Sequence, residues 1–270
     1  MIELVPAREA KLASPPLWYL EVREAKLASP PLWYLRVFAA VGMLMAAAAF
    51  APPAAAAPAT PDISGVYWAT TYSAKIQPVG GGDLPYTPAG RAAYDKNIAA
   101  LKSGELVDAA RRYCVPDGVP RLLAGPYPLE FIQTPGQTTI IHELNHAIRI
   151  VTMDKPMPKD EELIPYPYYD GHSVGHWEGD TLVVETAGFN DKTFLDATGA
   201  PHSDAMKTVE RIRKTGNQLE DVVTVHDPDM FTRDWSARFV YQQRSDLRLQ
   251  DYVCGEKHRD LSSVRGIQGH

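Results

Sequence analysis

DGHSVGHWEGDTLVVETAGFND, Asp170 to Asp191, reads as a β-hairpin with a polar loop at each end. Ser173 to Trp177 is the incoming arm, Glu178-Gly179-Asp180 is the turn, and Thr181 to Thr186 is a β-branched outgoing strand. Gly179 takes positive φ at no steric cost. Pleating then sends Leu182, Val184 and Thr186 to one face and Thr181, Val183 and Glu185 to the other.

Outward from this hairpin the chain carries further strand-like runs. Ile63 to Ser73 should be the first. Leu129 to Thr134, a Pro135-Gly136 turn and Thr138 to Met153 read as a hairpin with a long second arm, followed by a Pro-rich acidic connection, Lys155 to Tyr169, that holds Tyr166, Tyr168 and Tyr169. Met206 to Lys214 and Gln218 to Val225 pair around Gly216-Asn217, Trp235 to Gln243 follows, and Arg248 to Cys254 closes the series. One helix stands out: Thr87-Pro88 opens it, Ser103-Gly104 ends it, and Tyr94, Ile98 and Leu101 form its apolar stripe. The fold expected is mainly β, an antiparallel meander closing as a lipocalin-like barrel of eight or nine strands with one helix. An open sheet packed on that helix is the alternative.

Val37 to Phe50 is a short apolar run after Arg36, and the small residues APPAAAA follow it, the pattern of a secretory signal peptide cleaved near Ala56. Ahead of it, REAKLASPPLWYL occurs twice, at Arg8 to Leu20 and Arg23 to Leu35, which suggests a start codon placed too early. Residues 1–56 are therefore read as leader, and 57–270, about 210 residues, as one barrel-like domain. The protein expected is periplasmic or secreted, with no stable membrane insertion after cleavage. A net charge of −6 and the lack of basic stretches interleaved with aromatics argue against nucleic acid as a partner. Two cysteines, Cys114 and Cys254, in an oxidising compartment are expected to bridge, holding the irregular crossing Arg112 to Pro128 in place.

Ile140 to Ile148, IIHELNHAI, contains H-E-x-x-H. That signature binds zinc only on a helix, where His142 and His146 share a face and Glu143 serves as general base. The β-branched flanks and the Pro-Gly turn favour a strand, which would separate the two histidines by about 13 Å, four residues at ~3.3 Å each. In that strand His142 and His146 would share an apolar face with Ile140, Leu144, Ile148 and Ile150. Glu143, Asn145 and Arg149 would line the other. No catalytic metal and no cofactor is expected.

HSVGHWEGDTLVVETAGFND, continued by Thr193 to Asp196, Pro201-His202-Ser203 and Glu210-Arg211, resembles a large group of secreted bacterial proteins of unassigned function. Their recurring pattern is G-x-W-E-G-D-T-L-V-V-x-T, then F-N-D, L-D, G-x-P-H-S and E-R. The resemblance runs from about Ile63 to Cys254. It implies that Glu143 and Arg149 belong to the pattern whereas the H-E-x-x-H histidines do not, and it carries no reaction. His176 stands where the pattern has Arg.

Six residues are the candidates for chemistry: Glu143, Arg149, Asp170, His172, Asp191 and His202. Glu143 and Arg149 share a strand face in this reading, within reach of a carboxylate such as Glu185; a structural ion pair is the plain alternative. His172 and His176 flank the hairpin, and either is an acid/base group or a polar cap. Asp191, Asp196, His202, Ser203 and Asp204 are the densest polar group, able to bind a ligand, hold calcium or merely order a long loop through Asx-turns. Glu210-Arg211 is expected to pair with that loop. The leading function is binding of a small, largely apolar molecule, as a carrier or as a cofactor-free isomerase, lyase or hydrolase. A zinc metallopeptidase and a non-enzymatic envelope interaction module are the alternatives. An enzyme should gather several of the six in one pocket, and a carrier should show an apolar cavity holding one or two.

Overall fold

The computed structural model describes residues 60–163, 168–252 and 254. The leader, its cleavage site and Tyr166 lie outside the described residues. Nine strands close into one barrel: β1 (Gly65–Ala69), β2 (Leu129–Thr134), β3 (Gln137–His142), β4 (Ala147–Met153), β5 (His172–Glu178), β6 (Thr181–Ala187), β7 (Lys207–Thr215), β8 (Gln218–His226) and β9 (Trp235–Gln243). β1 pairs with β9 to complete the wall. The central hairpin is β5–β6, with Gly179 at φ 62 in its turn.

Eight of the nine junctions are antiparallel, and β4–β5 is parallel. The sequence accounts for that junction: residues 154–171 carry the chain from one end of the barrel back to the other, and a tight turn cannot join parallel neighbours. A short helix over Asp160–Leu163 lies in this crossover.

The arm read as one strand from Thr138 to Met153 is two. β3 ends at His142, Glu143 to His146 make a turn with Asn145 at φ 58 and His146 at φ 49, and β4 runs back beside β3. A strand of sixteen residues would reach about 50 Å, far beyond the span of a small barrel. The turn also resets the pleat. Arg149 pairs with Ile140 and points inward, whereas Ile148 and Ile150 lie outside, 58% and 53% exposed. Arg248 to Tyr252 is likewise not a strand. A closed wall has no edge for it, and it is held instead by side chains: Gln250 N–H donates to Glu143 Oε2 (2.7 Å) and Tyr252 N–H to His146 Nε2 (2.9 Å).

Helix α1 (Pro88–Ser103) has the caps its sequence foretold, Thr87 Oγ1 accepting from Gly90 N–H at 3.0 Å and Gly104 at φ 78. Two shorter helical segments follow, α2 (Ala109–Tyr113) and a 3-10 turn over Arg121–Ala124. α1 lies on the loop 196–200 through Tyr94 OH to Thr198 Oγ1 (3.1 Å) and Asn97 Nδ2 to Gly199 O (3.0 Å). Its first turn sits directly on the Met230 backbone, where a Cβ on Gly90 would collide with the Met230 carbonyl. Gly90→Ala should therefore destabilise, although alanine is the better helix former by about 1 kcal/mol. We expect a net loss of about 1–2 kcal/mol in urea unfolding, and a gain in midpoint would show that the contact is not tight.

The barrel has two apolar layers. One end is filled by Tyr67, Phe131, Ile140, Val151, Leu182 and their neighbours. At the other, Val223, Val225, Trp235 and Ala237 pack beneath α1 and the loops, with Val119 and Leu123 among them. The disulfide Cys114–Cys254 pins the start of the 114–125 segment to the C-terminal tail, and residues 117–123 are all buried, so that this segment plugs the second end.

Candidate functional site

Between the apolar layers the strand alternation places charge inside. β7 buries Thr208, Glu210 and Ile212, and β8 buries Leu219, Asp221, Val223 and Val225. Arg149 reaches across the bore from β4 and grips Glu210 with both terminal nitrogens, Nη1 to Oε1 at 3.0 Å and Nη2 to Oε2. The pair is 2% and 0% exposed. Asp221 hydrogen-bonds Glu210, and burial first, then the Glu210 charge, raises its carboxyl well above the usual range. Asp221 is thereby held towards its neutral form, and Arg149 stands as the counter-charge to Glu210. Burial and these same carboxyls push the Tyr241 phenol up, and its O–H donates to Leu123 O of the plug at 2.8 Å.

The plug brings a second charged group against this layer. Arg121 is held by Asp108 (Nη1 3.1 Å, Nη2 2.6 Å) and through Nε by Asp117 (2.8 Å). Asn145, in the β3–β4 turn, donates to Asp117 Oδ2 at 3.4 Å, which sets its amide orientation and leaves Oδ1 as an acceptor. Gly118 N–H donates to Asp170, whose carboxyl is raised by burial against the opposing pull of Arg149. Burial raises Asp117 in the same way, despite Arg121. His142 points inward beside Arg149, and burial first, then that guanidinium, depresses it to about 3. It is a neutral imidazole. Among the described residues, the buried side-chain atoms without a partner are His142 Nε2, Asn145 Oδ1, Arg149 Nε, Asp170 Oδ1, Thr208 Oγ1, Asp221 Oδ1 and Trp235 Nε1. Four of them belong to Arg149, to Asp170 and Asp221, whose charges act on it, and to His142, on which its own charge acts. Buried polar groups left unpaired are rare, so their gathering in one layer is the unusual feature of this interior.

Of the six candidates, Arg149 and Asp170 meet in this layer. His202 sits just outside it: its Nδ1–H donates to Ser203 O (3.2 Å), Nε2 accepts from Thr193 O–H (3.0 Å), and burial lowers its pKa. Thr193 and Asp170 are linked through Gly118, where a Cβ would lie 3.2 Å from Thr193 Oγ1. Asp191 is exposed, near enough to His202 to act on its charge. His172 opens β5 opposite Ala187, on the outer phase of the strand. Glu143 turns out to be no partner of Arg149, since the β3–β4 turn directs it to the tail at Gln250. Glu185 is exposed on the outer face of β6, and Glu210 takes the place expected of it rather than pairing with the loop before it.

Geometry bears on two of the alternatives left open by the sequence. The helix that zinc binding by H-E-x-x-H demands does not form, since His142 ends a strand facing inward while His146 caps the tail from the turn. The loop 190–206 is an ordered scaffold: Asp196 Oδ1 accepts from Thr198 N–H (2.8 Å) and O–H (2.7 Å), and Ser203 donates through N–H and O–H to Asp227 at 2.7 and 2.8 Å. The sequence reading passed over Asp117, Asn145, Glu210, Asp221 and Tyr241. For Asp221 a signal existed, because it occupies the apolar phase Leu219, Val223, Val225 of its strand.

A cavity of about 210 Å³ opens beside the plug, lined by Ala110, Arg111, Asp117, Leu144, Asn145, Tyr252 and Cys254. A larger one of about 460 Å³ lies between Asp160, Leu163, Phe189, Met206 and Lys207. Neither cavity is lined by any of the six candidates, and Lys207 of the larger one is paired with Asp160 at 3.1 Å in solvent. The smaller cavity is lined by Asp117 and Asn145 at the edge of the charged layer, and not by Arg149, His142, Asp170 or Asp221. No helix among the described residues is long and apolar enough to cross a membrane.

No protein-family model and no curated protein matches the chain. Among solved structures it is similar to the "REP1-NXSQ fatty acid transporter", 9% identical over 69% of this chain and 98% of that one, with a TM-score of 0.34. A mutant of the fluorescent protein UnaG is 15% identical over 68% and 97%, TM-score 0.32, and a secretary abundant heat soluble protein from Ramazzottius varieornatus is 10% identical over 67% and 95%, TM-score 0.27. At such identities and scores no ligand or activity carries over from them to this chain.

Proposed function

We propose that the chain is a secreted barrel that binds a small amphipathic molecule at its plugged end. The observation that carries this reading is the layer of buried, partly unpaired polar atoms around Arg149, with a cavity beside it that is lined by Asp117 and Asn145. Ala110, Leu144 and Tyr252 offer the ligand an apolar wall, and Arg111 with Asp117 a polar one. The volume is below the ~300 Å³ at which sites for drug-sized ligands begin, so the molecule is small. The leader pattern and the Cys114–Cys254 disulfide support the extracellular part of the reading. Kinship with the secreted bacterial group belongs to it too. Asp196, His202, Ser203 and Glu210 all find partners within the chain, which supports taking the shared pattern as a signature of the fold rather than of a reaction.

The test is a thermal-shift screen of the oxidised protein against small amphipathic acids, amines and alcohols. A ligand at 100 times its Kd should add about 2.7 kcal/mol of stability. That shift should be lost in Arg111→Ala, and retained in Arg213→Ala on the far side of the wall. Equal shifts in both variants would place binding elsewhere. A cofactor-free acid–base enzyme is the second reading, favoured by the raised, half-free carboxyl of Asp170 beside Arg149. Asp170→Asn separates the two, since it should abolish turnover of a bound molecule while leaving an Arg111-dependent shift in place.

A further inference from the structure

The plug is joined to the rest of the protein in an unusual way. Residues 117–123 seat Val119, Leu122 and Leu123 in the barrel end. Their internal bonds are local, Leu122 N–H to Gly118 O (2.8 Å) and Leu123 N–H to Pro120 O (3.0 Å). To the wall they make a few polar links: Gly118 N–H to Asp170, Asn145 to Asp117, and Tyr241 O–H to Leu123 O. The plug supplies no strand to the wall, so its departure would break no ladder. Gly118 and Leu123 of the plug contact Asp170 and Tyr241, and in the same interior His142 Nε2, Arg149 Nε, Asp170 Oδ1 and Asp221 Oδ1 are unpaired while the plug is in place and able to meet water or a ligand once it lifts. At its upstream end stands Cys114, bonded to Cys254 of a tail that is itself moored to the β3–β4 turn through Glu143 and His146.

We propose that the 115–125 segment is a lid over the Arg149 layer and that the Cys114–Cys254 disulfide is its latch. This deepens the ligand-binding reading by saying how the inner polar layer is reached. A dithiol reductant supplies two electrons and two protons, the S–S bond breaks, Cys114 and Cys254 become thiols, and the reductant leaves as its own disulfide. With the latch open, the plug exchanges between seated and lifted positions while the nine-stranded wall stays closed.

Amide hydrogen exchange of the full chain, oxidised and then reduced with a dithiol, tests this. Amides of 117–123 should exchange about tenfold faster or more after reduction, while those of β7 and β8 keep their protection. Plug exchange unchanged by reduction would overturn the latch. Loss of protection throughout the wall would also overturn it, since the disulfide would then be a global staple. Gly118→Ala, kept oxidised, checks the lid without touching the cysteines. At φ 78, and with a Cβ 3.1 Å from Tyr169 O, it unseats the plug locally and should speed exchange in 117–123 alone. If it leaves the plug protected or loosens the wall, the segment is not a separable lid. These readouts need no ligand, so a failed binding screen alongside a responsive plug would count against the proposed ligand and not against the lid.

Discussion

Replacing Arg149 by methionine is expected to lower the unfolding free energy by about 3–5 kcal/mol, because it strands a charge in the middle of the barrel. Glu210 is fully buried and hydrogen-bonded to Asp221, whose carboxyl is raised by burial and by Glu210, so the arginine is the counter-charge for the pair. Without it, the pair must hold a naked carboxylate or take up a proton. For a domain of this size the loss corresponds to a fall of about 10–15 °C in Tm. It should shrink as pH is lowered: a carboxyl whose folded pKa has risen binds more protons folded than unfolded, so acid favours the folded form. The triple variant Arg149→Met, Glu210→Leu, Asp221→Leu should recover most of the stability, because the cost lies in the unpaired charge and not in the pair. Urea unfolding at pH 7 and pH 5 decides the matter. An Arg149→Met protein within about 1 kcal/mol of the parent would mean that Glu210 is neutral in the native state.

The second large effect is an acid limb that His142→Leu removes. Burial and Arg149 hold the folded imidazole at about 3, against ~6.5 for the unfolded chain. Above pH 6.5 the group is neutral in both states and its contribution is fully present. As pH falls from 6.5 towards 3 the unfolded state takes up the proton first, and stability is lost. Between pH 7 and pH 4.5 the parent should lose about 2–3 kcal/mol through this residue. The buried carboxyls of Asp117, Asp170 and Asp221 slope the other way, so the quantity to measure is the difference between variant and parent. That difference should be small at pH 7, where the change exchanges an unpaired Nε2 for a methyl, and should swing in favour of His142→Leu by pH 4.5. Parallel curves for the two proteins over that range would show that His142 can be protonated in place.

Local patterns carried much of the architecture. The β5–β6 hairpin, the β7–β8 hairpin around Gly216 and Asn217, and α1 with its Thr87 and Gly104 caps all form where the residues say. Each of these rests on contacts within a few residues: a glycine at positive φ, an N-cap hydroxyl, a run of β-branched side chains. The closed barrel agrees with them, and the count of nine strands holds only because two departures cancel: residues 138–153 form two strands rather than one, and residues 248–252 form none. The pairing of Cys114 with Cys254 was legible because the chain has no third cysteine.

What escaped the sequence reading depends on phase and on distant neighbours. The stretch 138–153 is β-branched at both ends and hides its own turn, because Asn145 and His146 take left-handed conformations without the help of glycine. Missing that turn inverted the pleat of β4, placing Ile148 inside, and it tied Glu143 to Arg149.

By itself, then, the sequence determined seven of the strands, the hairpins β5–β6 and β7–β8, the long helix and the covalent bridge, since short-range sterics and hydrogen bonding decide these. Only the tertiary structure decided that Arg149, Glu210 and Asp221 share one interior, that Asp170 feels the Arg149 charge while accepting from the Gly118 amide, and that residues 117–123 are buried. The physical reason is that a buried charge is tolerable only where its counter-charge also arrives, and here the partners come from strands 61 residues apart that meet only when the barrel closes.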